Sequence, residues 1–181
     1  MIMKNVSFVI LSVFLITSCI ISRGNHYSHL SEEDRAKIKD LNNFEDLNKN
    51  FIYEITADQL LNELQNHPKS LVYIFTSGCS GDTVNSLSEI EEYAEQNNLR
   101  LFLILTGYWQ LNQTLDQDLE SQLFSIDAKE YGNPNKAGYT TKFRKELGYK
   151  EYYDIHKKGG NYMFFEGNVL KEMKYDLVNP N

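Results

Sequence analysis

Two stretches, LVYIF (71–75) and LFLIL (101–105), are apolar or aromatic at every position. Runs of this length without polar alternation read as strands buried on both faces. Between them, Val84, Leu87, Ile90 and Ala94 share one stripe of a predicted helix over 83–96, while Glu89, Glu91, Glu92 and Glu95 face water. Two such strands joined by an amphipathic helix make a βαβ unit, so the core of the sheet is parallel.

The flanking elements follow from local signals. Residues 51–54 read as a strand. Thr56 and Gln59 fit a capping box at the start of a helix whose apolar face is Leu60, Leu61 and Leu64, and Pro68 prevents its continuation. A polar helix is predicted over 111–122, a short strand over 123–127 and a turn over 132–135. A further helix runs over 139–147, closed by Gly148. NYMFF (161–165), a turn over 166–168 and VLKEMKY (169–175) predict a β-hairpin, with Lys171, Glu172 and Lys174 protecting an edge strand. Upstream, Ser31 can cap a short helix over 31–44, with Glu32, Glu33 and Asp34 in its first turn.

The chain opens MIMKNVSFVILSVFLITSC. Lys4 supplies a positive start, and 6–16 is an apolar run too short for a comfortable membrane span, as in a secretory signal. Leu15-Ile16-Thr17-Ser18-Cys19 resembles the lipobox of bacterial lipoproteins. The resemblance implies cleavage before Cys19 and acylation of its sulfur, with more than one chain needed for stable anchoring. The expected organisation is a signal peptide over 1–18, a lipidated tether with a short helix over 19–49, and a compact domain over 50–181. The expected location is the bacterial cell envelope, on the extracytoplasmic or periplasmic side of a membrane.

Losing Lys4 adds one negative charge to a formal net charge of −7. No basic stripe interleaved with aromatics is present, which argues against nucleic acid as a partner. Of the chain's two cysteines, lipidation uses one, leaving Cys79 as a single thiol with no disulfide partner within the chain. His26 and His29 form an H-x-x-H in the tether, a poor basis for a metal site, and neither metal nor cofactor is expected.

From residue 51 the order is βαβαβ, then an α-β insertion, then a helix and a β-hairpin. This order, with Cys79 in the small loop between an apolar strand and an amphipathic helix, resembles the thioredoxin fold over about 50–176. The nearest group is the envelope thiol–disulfide oxidoreductases and peroxiredoxin-like proteins. The resemblance implies a three-layer α/β sandwich with a central mixed sheet, a C-terminal hairpin and an α-β insertion. It also places Cys79 at the nucleophile position. A thiolate at a helix N-terminus is stabilised by the dipole and by unpaired N–H groups. Gly78 and Gly81 let a partner chain approach, and Thr76, Ser77 and Ser80 can donate hydrogen bonds to the sulfur.

The sequence departs from that family at defined positions. Asp82 stands where the resolving cysteine belongs, so a two-cysteine cycle cannot run within the chain; its carboxylate opposes thiolate formation or caps the helix. The segment Lys158-Gly159-Gly160-Asn161 lacks the family's cis-proline. Thr76 stands three residues before Cys79, as in peroxiredoxins, but Val72 occupies the proline position and Arg144 matches the supporting arginine only in residue type. His156 is distant enough to act as a copper ligand, but the second cysteine is missing. Tyr108 and Trp109 follow the second buried strand; they either wall a groove together with Gly159, Gly160 and Asn161 or cover the sheet end as packing. Two functions remain: a membrane-anchored monothiol thiol–disulfide oxidoreductase acting through Cys79, or a redox-inactive accessory lipoprotein that holds a protein or peptide partner.

Overall fold

The computed structural model describes residues 27, 29–77, 86–132, 135–149 and 161–177. Among these, seven strands and five helices form an α/β fold on one mixed sheet. In chain order they are α1 (Glu32–Ala36), β1 (Ile38–Asp40), β2 (Ile52–Ile55), α2 (Ala57–Leu64), β3 (Lys69–Phe75), α3 (Leu87–Gln96), β4 (Arg100–Leu105), α4 (Leu111–Leu115), β5 (Leu123–Ile126), α5 (Lys136–Glu146), β6 (Tyr162–Glu166) and β7 (Val169–Lys174). The strand order is β1-β2-β5-β4-β3-β6-β7. The first five strands of that order are parallel to one another; β6 runs antiparallel to β3, and β7 antiparallel to β6. No helix among the described residues is long and apolar enough to cross a membrane.

Alternation along the strands sends side chains to two cores. Leu71, Tyr73 and Phe75 of β3 join Leu101, Leu103 and Leu105 of β4 against Leu87, Ile90 and Ala94 of α3. Val72 and Ile74, with Phe102, Ile104, Phe124 and Ile126, pack on the other side against Leu60 and Leu64 of α2 and Tyr139 and Phe143 of α5. Continuous apolar runs are therefore required in β3 and β4, because each residue has a buried face to fill. The Thr56–Gln59 capping box starts α2 as expected. Gly148 follows the C-cap of α5 with φ of 95°, and β7 is the charged edge strand.

Beside α5, which starts at Lys136 rather than 139, four features differ from the sequence expectation. The helix predicted over 31–44 stops at Ala36, and Ile38, Lys39 and Asp40 pair with Ile52, Tyr53 and Glu54. The sheet therefore begins upstream of Asn50, and buried Leu30 and Leu41 extend the core further. α3 begins at Leu87 rather than 83: Ser86 has an extended backbone and caps the helix, with Glu89 completing a capping box. The helix predicted over 111–122 ends at Leu115. The chain after it is pinned by the Glu91 carboxylate, which accepts from the Ser121 amide at 2.6 Å, and by Gln122, which donates to the Phe51 carbonyl at 2.6 Å.

The fourth difference concerns β5. Its sequence position suits an insertion, yet it lies inside the sheet between β2 and β4 and pairs with both. Phe124 is buried 6.1 Å from the Phe102 ring and 5.7 Å from that of Phe44. Phe124→Ala is predicted to cost about 3–5 kcal/mol of stability in urea unfolding, as for other buried aromatic truncations. A loss below about 1 kcal/mol would mean that β5 is peripheral. A soluble form beginning at Asn50 is predicted to melt lower and aggregate more than one beginning at Arg23, because it lacks β1 and exposes β2 as an edge.

Candidate functional site at the carboxyl edge of the sheet

The parallel strands β2, β3, β4 and β5 all end on the same side of the sheet, where loops of α/β folds form sites. β3 delivers Thr76 and Ser77 there, and β4 delivers Thr106 to Trp109. The ladder extends one step beyond the strands, with the Thr106 amide donating to the Phe75 carbonyl at 2.8 Å. β6 enters at the same end: its register sets Tyr162 opposite Tyr73, and the Ile74 amide donates to the carbonyl of Asn161 at 3.0 Å.

Hydrogen bonds close this edge on itself. Ser77 is only 2% exposed, and its hydroxyl donates to the carbonyls of Gly107, at 3.2 Å, and Trp109. Thr76 Oγ1 lies 2.9 Å from Thr106 Oγ1 and accepts from Lys136 Nζ at 2.9 Å. The Tyr139 hydroxyl donates to the Thr106 carbonyl. The expectation that Thr76 and Ser77 donate to a sulfur is corrected for Ser77, whose single proton is used by the 107–109 backbone. For Thr76, the described hydroxyl contacts are with Thr106 and Lys136.

Cys79, Ser80 and Asp82, with Gly78 and Gly81, lie outside the described residues, as do Cys19, His26, His156, Gly159 and Gly160. What is described bears on the helix after that loop. The N-cap of α3, Ser86, sits seven residues beyond Cys79, and two of the amides at this helix end, those of Ser86 and Glu89, are taken by the capping box. The Ser86 hydroxyl accepts from the Glu89 amide at 3.2 Å, and the Glu89 carboxylate accepts from the Ser86 amide at 2.7 Å. A carboxylate thus already occupies the positive end of the dipole.

Tyr108 and Trp109 part company. Tyr108 is 1% exposed and belongs to the core, so of its two readings packing over the sheet end holds and the groove wall does not. Its hydroxyl lies 2.6 Å from Ser125 Oγ and donates to Glu54 Oε1 at 3.1 Å. Trp109 is 64% exposed. Its backbone is held by Ser77, and its ring lies 5.9 Å from that of His29. Asn161 is exposed, and its Oδ1 accepts from Arg144 at 2.7 Å. Burial lowers the pKa of that guanidinium.

Sequence reasoning missed the centre of this edge, Glu54. It is 4% exposed on β2, on the same sheet face as Ile52. Tyr27 and Tyr108 donate to Oε1, and Lys129 Nζ donates to Oε2 at 2.8 Å. Lys129 also lies 3.4 Å from Asp40 and 5.6 Å from the Tyr27 ring. The signal was present: in FIYEI (51–55), one acidic residue interrupts a strand with two buried faces, and a buried charge needs partners. Burial is the first cause raising the pKa values of Tyr27 and Tyr108, and Glu54 raises both further, so both phenols stay protonated as donors. For Lys129 the hydrogen bond to Glu54 is the leading cause of a raised pKa. Among the described residues, no three His, Cys, Asp or Glu side chains form a metal-binding group.

Among the described residues, the arrangement makes the edge a hydrogen-bonded platform with one large aromatic ring, that of Trp109, outside it. Lys129→Met is predicted to cost about 1–2 kcal/mol in urea unfolding: it takes the cation from the buried Glu54 carboxylate, but the Lys129 side chain is 61% exposed and the two tyrosine donors remain. A change below about 0.5 kcal/mol would show the pair to be dispensable. Alkali tests the phenols. Folded Tyr27, Tyr108, Tyr131, Tyr139 and Tyr162 all have raised pKa values, whereas unfolded tyrosine titrates near about 10. Above that pH the native state holds more protons than the unfolded one, so stability is full below about pH 10 and falls as pH rises further. Flat stability from about pH 9 to 12 in denaturant titrations would contradict this. No family model, curated protein or solved structure matches the chain.

Proposed function

We propose that this is a lipid-anchored, thioredoxin-like accessory protein of the bacterial envelope that holds a protein or peptide partner on the carboxyl edge of its sheet. The observation that carries this reading is Trp109. It is 64% exposed on a backbone fixed by Ser77, next to a tyrosine locked into the core. An aromatic anchor that is already ordered loses little entropy on binding, which is how interface hot spots are built. The thioredoxin-like reading is supported by the placement of β3, between parallel β4 and the antiparallel β6–β7 hairpin, with the Cys79 loop at its carboxyl end. The anchor reading rests on the lipobox at Cys19.

The same placement of β3 favours a second reading, in which Cys79 attacks a disulfide as a single thiol. The mixed disulfide forms as one sulfur of the target leaves as thiolate, and a second thiol must then release Cys79. The capping box at α3 and the commitment of the Ser77 proton remove two of the supports such a thiolate would use.

The two readings separate cleanly. A photoreactive phenylalanine analogue replacing Trp109 in the envelope is predicted to give a protein or peptide adduct, and one replacing Arg100 on the opposite end of the sheet to give none. Trp109→Ala is predicted to reduce partner recovery at least about tenfold, as for an interface hot spot, while Cys79→Ser leaves it unchanged. The reverse pattern, with a Cys79 alkylation pKa well below the ordinary thiol value, would establish the thiol reading instead.

A further inference from the structure

Tyr27 and His29 are the described residues nearest in sequence to Cys19, and both are fastened to the edge that carries Trp109. The Tyr27 ring lies 5.5 Å from that of Tyr108, and its hydroxyl donates to Glu54. The Arg35 guanidinium donates to the Tyr27 carbonyl at 2.9 Å, and the Leu30 amide donates to the same carbonyl at 3.1 Å. His29 Nε2 lies 3.1 Å from the Tyr108 carbonyl oxygen, and its ring lies 5.9 Å from that of Trp109. The first described residues of the chain therefore stand at the carboxyl edge itself.

Covalent geometry then limits where that edge can be. Eight peptide steps separate Cys19 from Tyr27, and eight residues span at most about 26–29 Å. With acyl chains on Cys19, the reach of the intervening residues keeps Trp109 within roughly 35 Å of the lipid surface. The body is acidic, with a formal net charge of −7 for the whole chain. Anionic headgroups do not attract such a body as a whole, which favours a protein over bare lipid as the occupant.

We propose that the carboxyl edge is a membrane-facing interaction surface and that its partner is the membrane-proximal segment of a protein held in the same membrane. This rests on the anchored-binding reading and names the class of partner that reading leaves open. Short tethering would supply much of the affinity by raising effective concentration, so a single exposed aromatic suffices as anchor.

The test uses the full lipidated chain in its own membrane, with the photoreactive analogue at position 109. The adduct is mapped by peptide sequencing, with and without a Gly/Ser spacer of about 20 residues inserted between Ser22 and Arg23. The expected adduct maps within about 15 residues of a membrane span or acylated cysteine. The spacer is expected to lower its yield about sixfold, from the −3/2 power dependence of effective concentration on tether length. An adduct with a soluble protein at a yield the spacer does not change would overturn the inference and leave the binding reading standing. Adducts with lipid alone would also overturn it, by making the bare bilayer the occupant. No adduct from position 109 in either form would remove the binding reading itself. Failure of Cys19→Ser to release the protein from membranes would remove the anchor on which the geometry depends.

Discussion

The Glu54 carboxylate is the interaction on which this edge of the molecule depends. A charge on a strand with both faces buried is costly unless every lone pair is used. Here the partners come from three places: the upstream segment through Tyr27, the loop after β4 through Tyr108, and the loop after β5 through Lys129, which Asp40 of β1 shares. One buried group therefore fixes segments far apart in sequence, and it fixes them at the end of the sheet where β3 and β4 also finish.

From that clasp the edge is built outward. Tyr108 cannot turn out to solvent without breaking its bonds to Glu54 and Ser125, so the next residue, Trp109, is presented outward on a short leash. Ser77 fixes the same loop from the β3 side, and Thr76, Thr106, Lys136 and Tyr139 tie that side to α5. The hydroxyls next to the cysteine loop serve this closure. One hydrogen-bonded frame holds both the first described residues, Tyr27 and His29, and the loop that carries the exposed ring of Trp109.

Much of the fold was legible because its signals are local. The apolar runs of β3 and β4, the Thr56–Gln59 box, Gly148 after α5 and the charged β7 each carry their own physical reason and stand where expected. The misreadings arose where tertiary partners decide. A three-residue strand such as β1 has no periodicity to read and exists because β2 offers it a ladder. β5 follows a short polar helix in the chain, and nothing local says that it enters between β2 and β4. In the candidate site, Trp109 was legible as an aromatic beyond a buried strand. Packing was one of two readings open for Tyr108; what decided it, the bond to Glu54 two strands away, was not visible locally. Glu54 itself was visible as an acidic residue in an apolar strand, but its partners lie 27, 54 and 75 residues distant.

Held by this frame, Trp109 is expected to be a fixed, outward aromatic before any partner arrives. Time-resolved fluorescence anisotropy of the soluble domain tests it directly, since Trp109 is the chain's single tryptophan. The account predicts that the native decay is dominated by tumbling of the whole domain, and that Tyr27→Phe or Glu54→Gln adds a fast component from local ring motion. A dominant sub-nanosecond component in the native protein, unchanged by either substitution, would show that the ring is free and that the frame does not present it.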